Sequence, residues 1–121
     1  MKLEDLRIYK SADDISDEIW KVVTSMNYFE KDTIGKQLAK SADSISANIA
    51  EGYGRYFFKE NRQFCFYSRG SLTETKNWLG KCHRRNIIDI DTYNRLDQKL
   101  DELHKSLNAY IKTLGKTTND N

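Results

Sequence analysis

The stretch DTYNRLDQKLDELHKSLNAYIKTLG, residues 91–115, decides the fold class. Its apolar and aromatic positions Tyr93, Leu96, Leu100, Leu103, Leu107, Tyr110 and Leu114 step 3-4-3-4-3-4. That spacing puts all of them on one face of an α-helix, the a/d pattern of helices packed side by side. Asp91 is placed to cap the start, and Gly115 to stop the helix before a polar tail at 116–121. A helix over about 91–114 with one narrow apolar stripe needs partner helices to bury it.

Three further blocks supply them. A helix over about 58–84 carries Phe64, Ser68, Ser71, Thr75, Trp78 and Cys82 on one line, widened by Leu72 and Leu79. A helix over about 33–51 carries Ile34, Leu38, Ala42, Ile45 and Ile49, with Asp32 or Thr33 placed to cap it and Gly52 to end it. The first, over about 5–27, carries Ile8, Ala12, Ile15, Ile19, Val22 and Met26. No block alternates with period two, so no sheet is expected. The links near 28–32, 52–57 and 85–91 are short. The expectation is all-α: one domain over 1–115, an antiparallel up-down four-helix bundle.

The composition agrees. At 121 residues and 14.2 kDa the chain is one domain's length. Proline is absent, which excludes collagen-like and Pro-rich classes. Ile, Leu, Val and Phe total 27 residues, enough for narrow helix stripes and too few for two-faced sheets. No apolar run approaches a membrane span, and Met1 to Asp5 lacks the apolar core of a signal peptide, so no membrane association is expected. Cys65 and Cys82 on one straight helix stand about 25 Å apart, too far for a disulfide. Reduced thiols in an unexported chain imply a cytoplasmic location.

Two features exceed what a lone bundle needs. The run Phe64-Cys65-Phe66-Tyr67 is apolar or aromatic all round the helix, with Phe57 and Phe58 one to two turns earlier. A helix apolar on every side is buried on every side, so self-association through Phe57, Phe58, Phe66 and Tyr67 is the simplest cover. The run from Ser41 to Ala50, with Gly70 and Ser71, is dense in small residues and is read as tight packing of the second helix on the third, within one subunit or between subunits, with serines bonding to backbone carbonyls.

The net charge of +2 is an average over uneven parts. Residues 1–51 carry −3, residues 52–85 carry +6 and residues 86–121 carry −1. Arg62, Arg69, Lys76 and His83 recur every seven residues along one helix face, extended by Arg55 and Lys59. Lys81, Arg84 and Arg85 cluster at the helix C-terminus, where cations are favoured. The line either pairs with Asp13, Asp14, Asp17 and Glu18 of the first helix or meets phosphates.

Catalytic patterns are missing. No CxxC or HxxxH spacing exists, and the adjacent Cys82 and His83 point about 100° apart, so no metal site is expected. Gly52-Tyr53-Gly54 lacks the Lys-Ser/Thr of a phosphate loop. Arg95 and His104 face opposite ways on a helix, unlike the close Arg–His pairing of helical-bundle ribonucleases. A His83–His104 acid–base pair is the one catalytic arrangement left to test. The chain is read as non-enzymatic, with no catalytic residue and no cofactor.

The stretch Gln37-Leu38, then Ser44-Ile45-Ser46-Ala47-Asn48-Ile49-Ala50-Glu51-Gly52-Tyr53-Gly54-Arg55, and the later Gly70-Ser71-Leu72-Thr73-Glu74 are specific. With them the chain resembles, from Leu6 to Leu114, the four-helix bundle proteins encoded in intervening sequences of bacterial 23S ribosomal RNA genes. That family in turn resembles Avd, the accessory protein of diversity-generating retroelements. The resemblance implies a homopentameric ring or barrel and a nucleic-acid-binding role. Two departures stand out: Tyr28-Phe29-Glu30 where the family often has proline, and Lys40 alone after Gln37-Leu38 where it is often basic.

Beside the resemblance, Asn48, Glu51 and Arg55 flank a helix end at Gly52, and are read as a structural corner or subunit contact. The functional expectation is a non-catalytic oligomer that binds RNA, DNA or a ribonucleoprotein through Arg55, Lys59, Arg62, Arg69 and Lys76, with Arg84 and Arg85 in reserve. The alternative is a protein–protein scaffold without nucleic-acid binding.

Overall fold

The computed structural model describes residues 1–115; the expected polar tail at 116–121 lies outside the described residues. Each apolar block folds as a helix: α1 (Arg7–Thr24), α2 (Lys36–Tyr53), α3 (Phe58–Arg84) and α4 (Ile90–Gly115). A 3-10 turn at Leu3–Asp5 precedes α1, and an α-turn at Tyr28–Glu30 with a π-helical turn at Lys31–Gly35 leads into α2. No strand occurs among the described residues.

Several ends differ from expectation. The chain turns helical at Tyr28, where a link was read, because Asn27 and Glu30 form a reciprocal capping box. The Asn27 side chain accepts from the Glu30 N–H at 2.9 Å, and the Glu30 carboxylate accepts from the Asn27 N–H at 3.2 Å. Neither Asp32 nor Thr33 caps α2. Asp32 pairs with Lys36 at 3.1 Å, and the Thr33 hydroxyl donates back to the Phe29 carbonyl at 2.7 Å. At α4 the cap is Asp89 and not Asp91: its carboxylate accepts the Thr92 N–H at 2.7 Å, and that bond holds it below the usual aspartate range. Gly52 does not end α2, which continues through Tyr53.

The α3–α4 turn is set by Asn86, whose φ of 60° is left-handed. The Ile87 N–H reaches back to the Cys82 carbonyl at 2.8 Å, the six-to-one bond of a Schellman stop. Asparagine tolerates that conformation better than most residues.

Each helix packs antiparallel on its chain neighbours, and α4 closes back on α1. The Ser68 hydroxyl donates to the Ile45 carbonyl at 2.8 Å and the Thr75 hydroxyl to Ser41 at 2.9 Å, so α2 and α3 run opposite ways. Arg62 reaches the Leu114 carbonyl and Lys76 reaches Asp97, which gives α3 and α4 the same opposed register. Glu18 of α1 takes Arg95 and Lys99 of α4. The α2–α3 seam is the most extensive and the α1–α4 seam the loosest of the four.

One core fills the centre. Ile19, Leu38, Ile45, Ile49, Leu72, Leu79, Leu96, Leu100 and Leu107 are fully buried in it. Fully burying such side chains contributes about 1.5–3 kcal/mol each, set against chain entropy. On α3 the buried line is Asn61, Cys65, Ser68, Leu72, Thr75, Leu79 and Cys82, which steps 4-3-4-3-4-3. Its small and hydroxyl members let α2 approach closely. Cys65 and Cys82 are free and buried, and burial pushes each thiol up to about 11, so neither is a reactive thiolate.

Candidate functional site

The α3 cation line, spaced every seven residues, lies along the α3–α4 seam. Arg62 donates to the Leu114 carbonyl at 3.3 Å. Arg69 donates to Asn108 at 3.0 Å and sits 5.1 Å over the Phe66 ring. Lys76 hydrogen-bonds Asp101 and stands 3.5 Å from Asp97; the Asp101 contact leads in holding its pKa above the ordinary lysine range, against partial burial. His83 stacks on Tyr93 with centroids 4.5 Å apart. The acidic partners are therefore on α4, whereas the first helix was the expected source. Glu18 faces Arg95 and Lys99 instead; burial raises its carboxyl, and the two cations outweigh that and hold it low.

The remaining cations of the expected surface stand differently. Lys59, Arg84 and Arg85 are exposed and make no ion pair among the described residues. Arg55 pairs with Glu51 at 3.2 Å and covers the Phe64 ring at 4.8 Å.

The Glu51–Arg55 pair flanks the α2–α3 corner, and Asn48 bonds within α2 rather than to a freed carbonyl at its end. Asn48 donates to the Ser44 carbonyl at 2.8 Å, one helical turn back. Gly52 is buried where α2 meets the start of α3. A methyl group there would stand 2.7 Å from the Asn61 side-chain oxygen and 2.9 Å from the Asn61 carbonyl. Gly52 is thus required by close approach between helices. Asn61 itself is buried, donates to the Tyr110 hydroxyl at 3.2 Å and takes the Cys65 thiol.

The aromatic belt faces outward. Tyr56 is 89% exposed, Phe57 61%, Phe58 50%, Phe66 37% and Tyr67 52%. Gly70 is exposed, with nothing within 4 Å of the place a side chain would start, so it takes no part in the α2–α3 packing within one chain. It lies one turn beyond Phe66 and Tyr67 on the outer side of α3.

The opposite end of the molecule carries a shallow groove of about 400 Å³ between the lead-in to α2 and the end of α3. Phe29, Asp32, Thr33, Ile34, Lys36, Gln37, Trp78 and Arg85 line it. Among the described residues no cluster of His, Cys, Asp or Glu could hold a metal ion. His83 and His104 do not form a pair: Tyr93, which stacks on His83, is eleven residues from His104, about 16 Å along α4.

The description "23S rRNA-intervening sequence protein" matches residues 4–109. The chain belongs to that family. Among solved structures it is similar to a protein of unknown function from the S23 ribosomal protein family of Bacteroides thetaiotaomicron VPI-5482. The two share 22% identity, the match covers 87% of this chain and 98% of that one, and the TM-score is 0.78. That likeness concerns the fold. No curated protein matches. No helix among the described residues is long and apolar enough to cross a membrane.

In this intervening-sequence protein, exposed aromatics extend beyond those picked out from the sequence. Trp20, Tyr28 and Phe29 are also exposed at the end where the groove opens. Phe29 lies in the short helical turn between α1 and α2. The signal that could have found the groove was the spacing Trp78, Lys81, Arg85, steps of three and four on one helix face.

Proposed function

We propose that the protein is a non-catalytic subunit of a homo-oligomer, a ring or barrel, that works in the cytoplasm as an assembly module. The observation that carries this reading is the exposed aromatic run at the α2–α3 corner and outer α3: Tyr56, Phe57, Phe58, Phe66 and Tyr67. Contiguous exposed apolar surface of this kind marks interaction sites. The corner that presents it is held rigid by Gly52, Asn61 and the Glu51–Arg55 pair, as an interface needs. The resemblance to the pentameric family supplies the number five. The test is Phe57→Ser combined with Phe58→Ser. Both side chains are at least half exposed, so the chain keeps its helical circular dichroism while the oligomer mass falls. Unchanged mass rejects this corner as the interface.

A second reading, nucleic-acid or ribonucleoprotein binding, is favoured by the exposed Lys59, Arg84 and Arg85, since an oligomer multiplies each such cation into a stronger field. The seam cations Arg62, Arg69 and Lys76 already have protein partners. The phosphate contacts are therefore assigned to the exposed set, with Arg55 released from Glu51 as the reserve. Retention of structured RNA or duplex DNA at low salt supports this reading. A loss of all retention leaves the protein-only scaffold.

A further inference from the structure

We propose that the groove between the lead-in turns and the end of α3 binds single-stranded nucleic acid, with bases stacking on Trp78 and Phe29 and phosphates meeting Arg85 and its neighbours. This rests on the nucleic-acid reading above and gives it a place and a substrate class.

The chemistry of the groove is specific. On α3, Trp78, Lys81 and Arg85 follow at steps of three and four and share one face. The Trp78 indole N–H donates to Glu74 at 3.0 Å, which fixes the ring, and the Lys81 ammonium stands 5.1 Å from the ring centroid. Across the groove lies Phe29, 74% exposed, one of the bulkiest apolar side chains left to solvent. Thr33, Lys36 and Gln37 add hydrogen-bonding groups along the same wall. The nearest carboxylate on that wall, Asp32, is neutralised by Lys36 at 3.1 Å. Arg84 and Arg85 carry no ion pair among the described residues.

An exposed Phe29 ring, the outer part of a Trp78 ring that is otherwise packed on the core under Lys81, and cations without an ion pair are the elements of a single-strand site, with the Glu74 carboxylate on the indole an anion the strand must pass. A duplex keeps its base faces stacked internally and offers Trp78 and Phe29 nothing to stack on. An acidic peptide would satisfy the cations and leave the rings without a partner. Thr33 also lies within the π-helical turn Lys31–Gly35, and single π turns recur at functional sites.

The test is fluorescence anisotropy on the full chain, with fluorescein-labelled single-stranded RNA and duplex RNA of about 20 nucleotides, at about 50 and 200 mM salt. The expected result is tighter binding of the single strand, weakened about 5- to 150-fold by Trp78→Ala or by Phe29→Ala. Arg85→Ala lowers the salt slope by about one. Phe29 is mostly exposed, so its variant keeps the fold even where Trp78→Ala perturbs it. In a Trp20→Phe background, quenching of the one remaining indole on adding the unlabelled strand reports stacking directly. Binding that prefers duplex, or that ignores both aromatic variants, overturns the groove and leaves nucleic-acid binding elsewhere on the surface. No binding of either probe at low salt overturns both the groove and the reading it rests on. Equal quenching by polyglutamate also overturns it, because charge alone would then suffice.

Discussion

Gly52 and Gly70 lie in helices on the two sides of the aromatic corner, and the same substitution is expected to act on them with opposite sign. Replacing a helical glycine by alanine gains about 1 kcal/mol of helix propensity where the methyl is free. At Gly70 nothing lies within 4 Å, so the single chain keeps that gain. At Gly52 the methyl would meet the Asn61 side-chain oxygen at 2.7 Å, the Asn61 carbonyl at 2.9 Å and the Phe64 Cβ at 3.0 Å. The side-chain oxygen can swing aside only by disturbing the bond from Asn61 to Tyr110. The carbonyl and the Cβ move only if the start of α3 moves. Overpacking of this kind costs about 1–3 kcal/mol, which exceeds or cancels the propensity gain. With an unfolding entropy near 2.1 cal/mol/K per residue, 1 kcal/mol corresponds to about 4 °C for a chain of this length. Gly70→Ala should therefore raise the midpoint by about 4 °C, and Gly52→Ala should lower it by up to about 8 °C. The assay is thermal unfolding by far-ultraviolet circular dichroism over a range of chain concentrations, which separates mass action from intrinsic stability. A Gly52→Ala midpoint as high as that of Gly70→Ala would refute the close-approach argument. If outer α3 is covered in the oligomer, Gly70→Ala also lowers the assembled mass at tens of micromolar, although it stabilises the dissociated chain.

Asp43 on α2 is pushed above the usual aspartate value of 3.8 first by burial, then by Asp17 and Asp13 of α1. A raised folded-state pKa means the contribution favours folding at acid pH and is lost as pH rises through the raised value. Asp43 is exposed and solvent screens the effect, so Asp43→Asn should stabilise only slightly at pH 7 and gain nothing at pH 3, read from urea midpoints at the two pH values. At the α3–α4 turn, Asn86→Gly should be neutral or mildly stabilising, and Asn86→Val should cost about 1–2 kcal/mol because a β-branched residue resists positive φ. Chemical denaturation of both variants checks the pair; equal midpoints would contradict the left-handed stop.

The helices themselves were legible because their apolar spacing is regular. Leu96, Leu100, Leu103, Leu107 and Leu114 are all buried as their heptad requires. The α3 stripe was harder, since its buried positions include Asn61, Ser68 and Thr75, which look like surface residues until α2 is placed against them. Helix ends were misread where two residues compete for the same cap. Asp91 and Asp89 are both acidic and one turn apart from candidate donors, and only backbone geometry selects Asp89.

What periodicity could not convey was which helices are neighbours. The cation line found its carboxylates on Asp97 and Asp101 because α3 lies between α2 and α4, with α1 diagonal to it. Asp13 and Asp17 instead ended beside Asp43. The groove escaped the sequence for a related reason. Phe29 and Trp78 are far apart in the chain, and they converge only because the lead-in to α2 meets the end of α3.

If this intervening-sequence protein is one stave of an assembly, as proposed, sedimentation velocity of the unmodified chain at tens of micromolar gives a single species at a whole multiple of 14.2 kDa, five by the family resemblance. A species that stays at 14.2 kDa across that concentration range would contradict it.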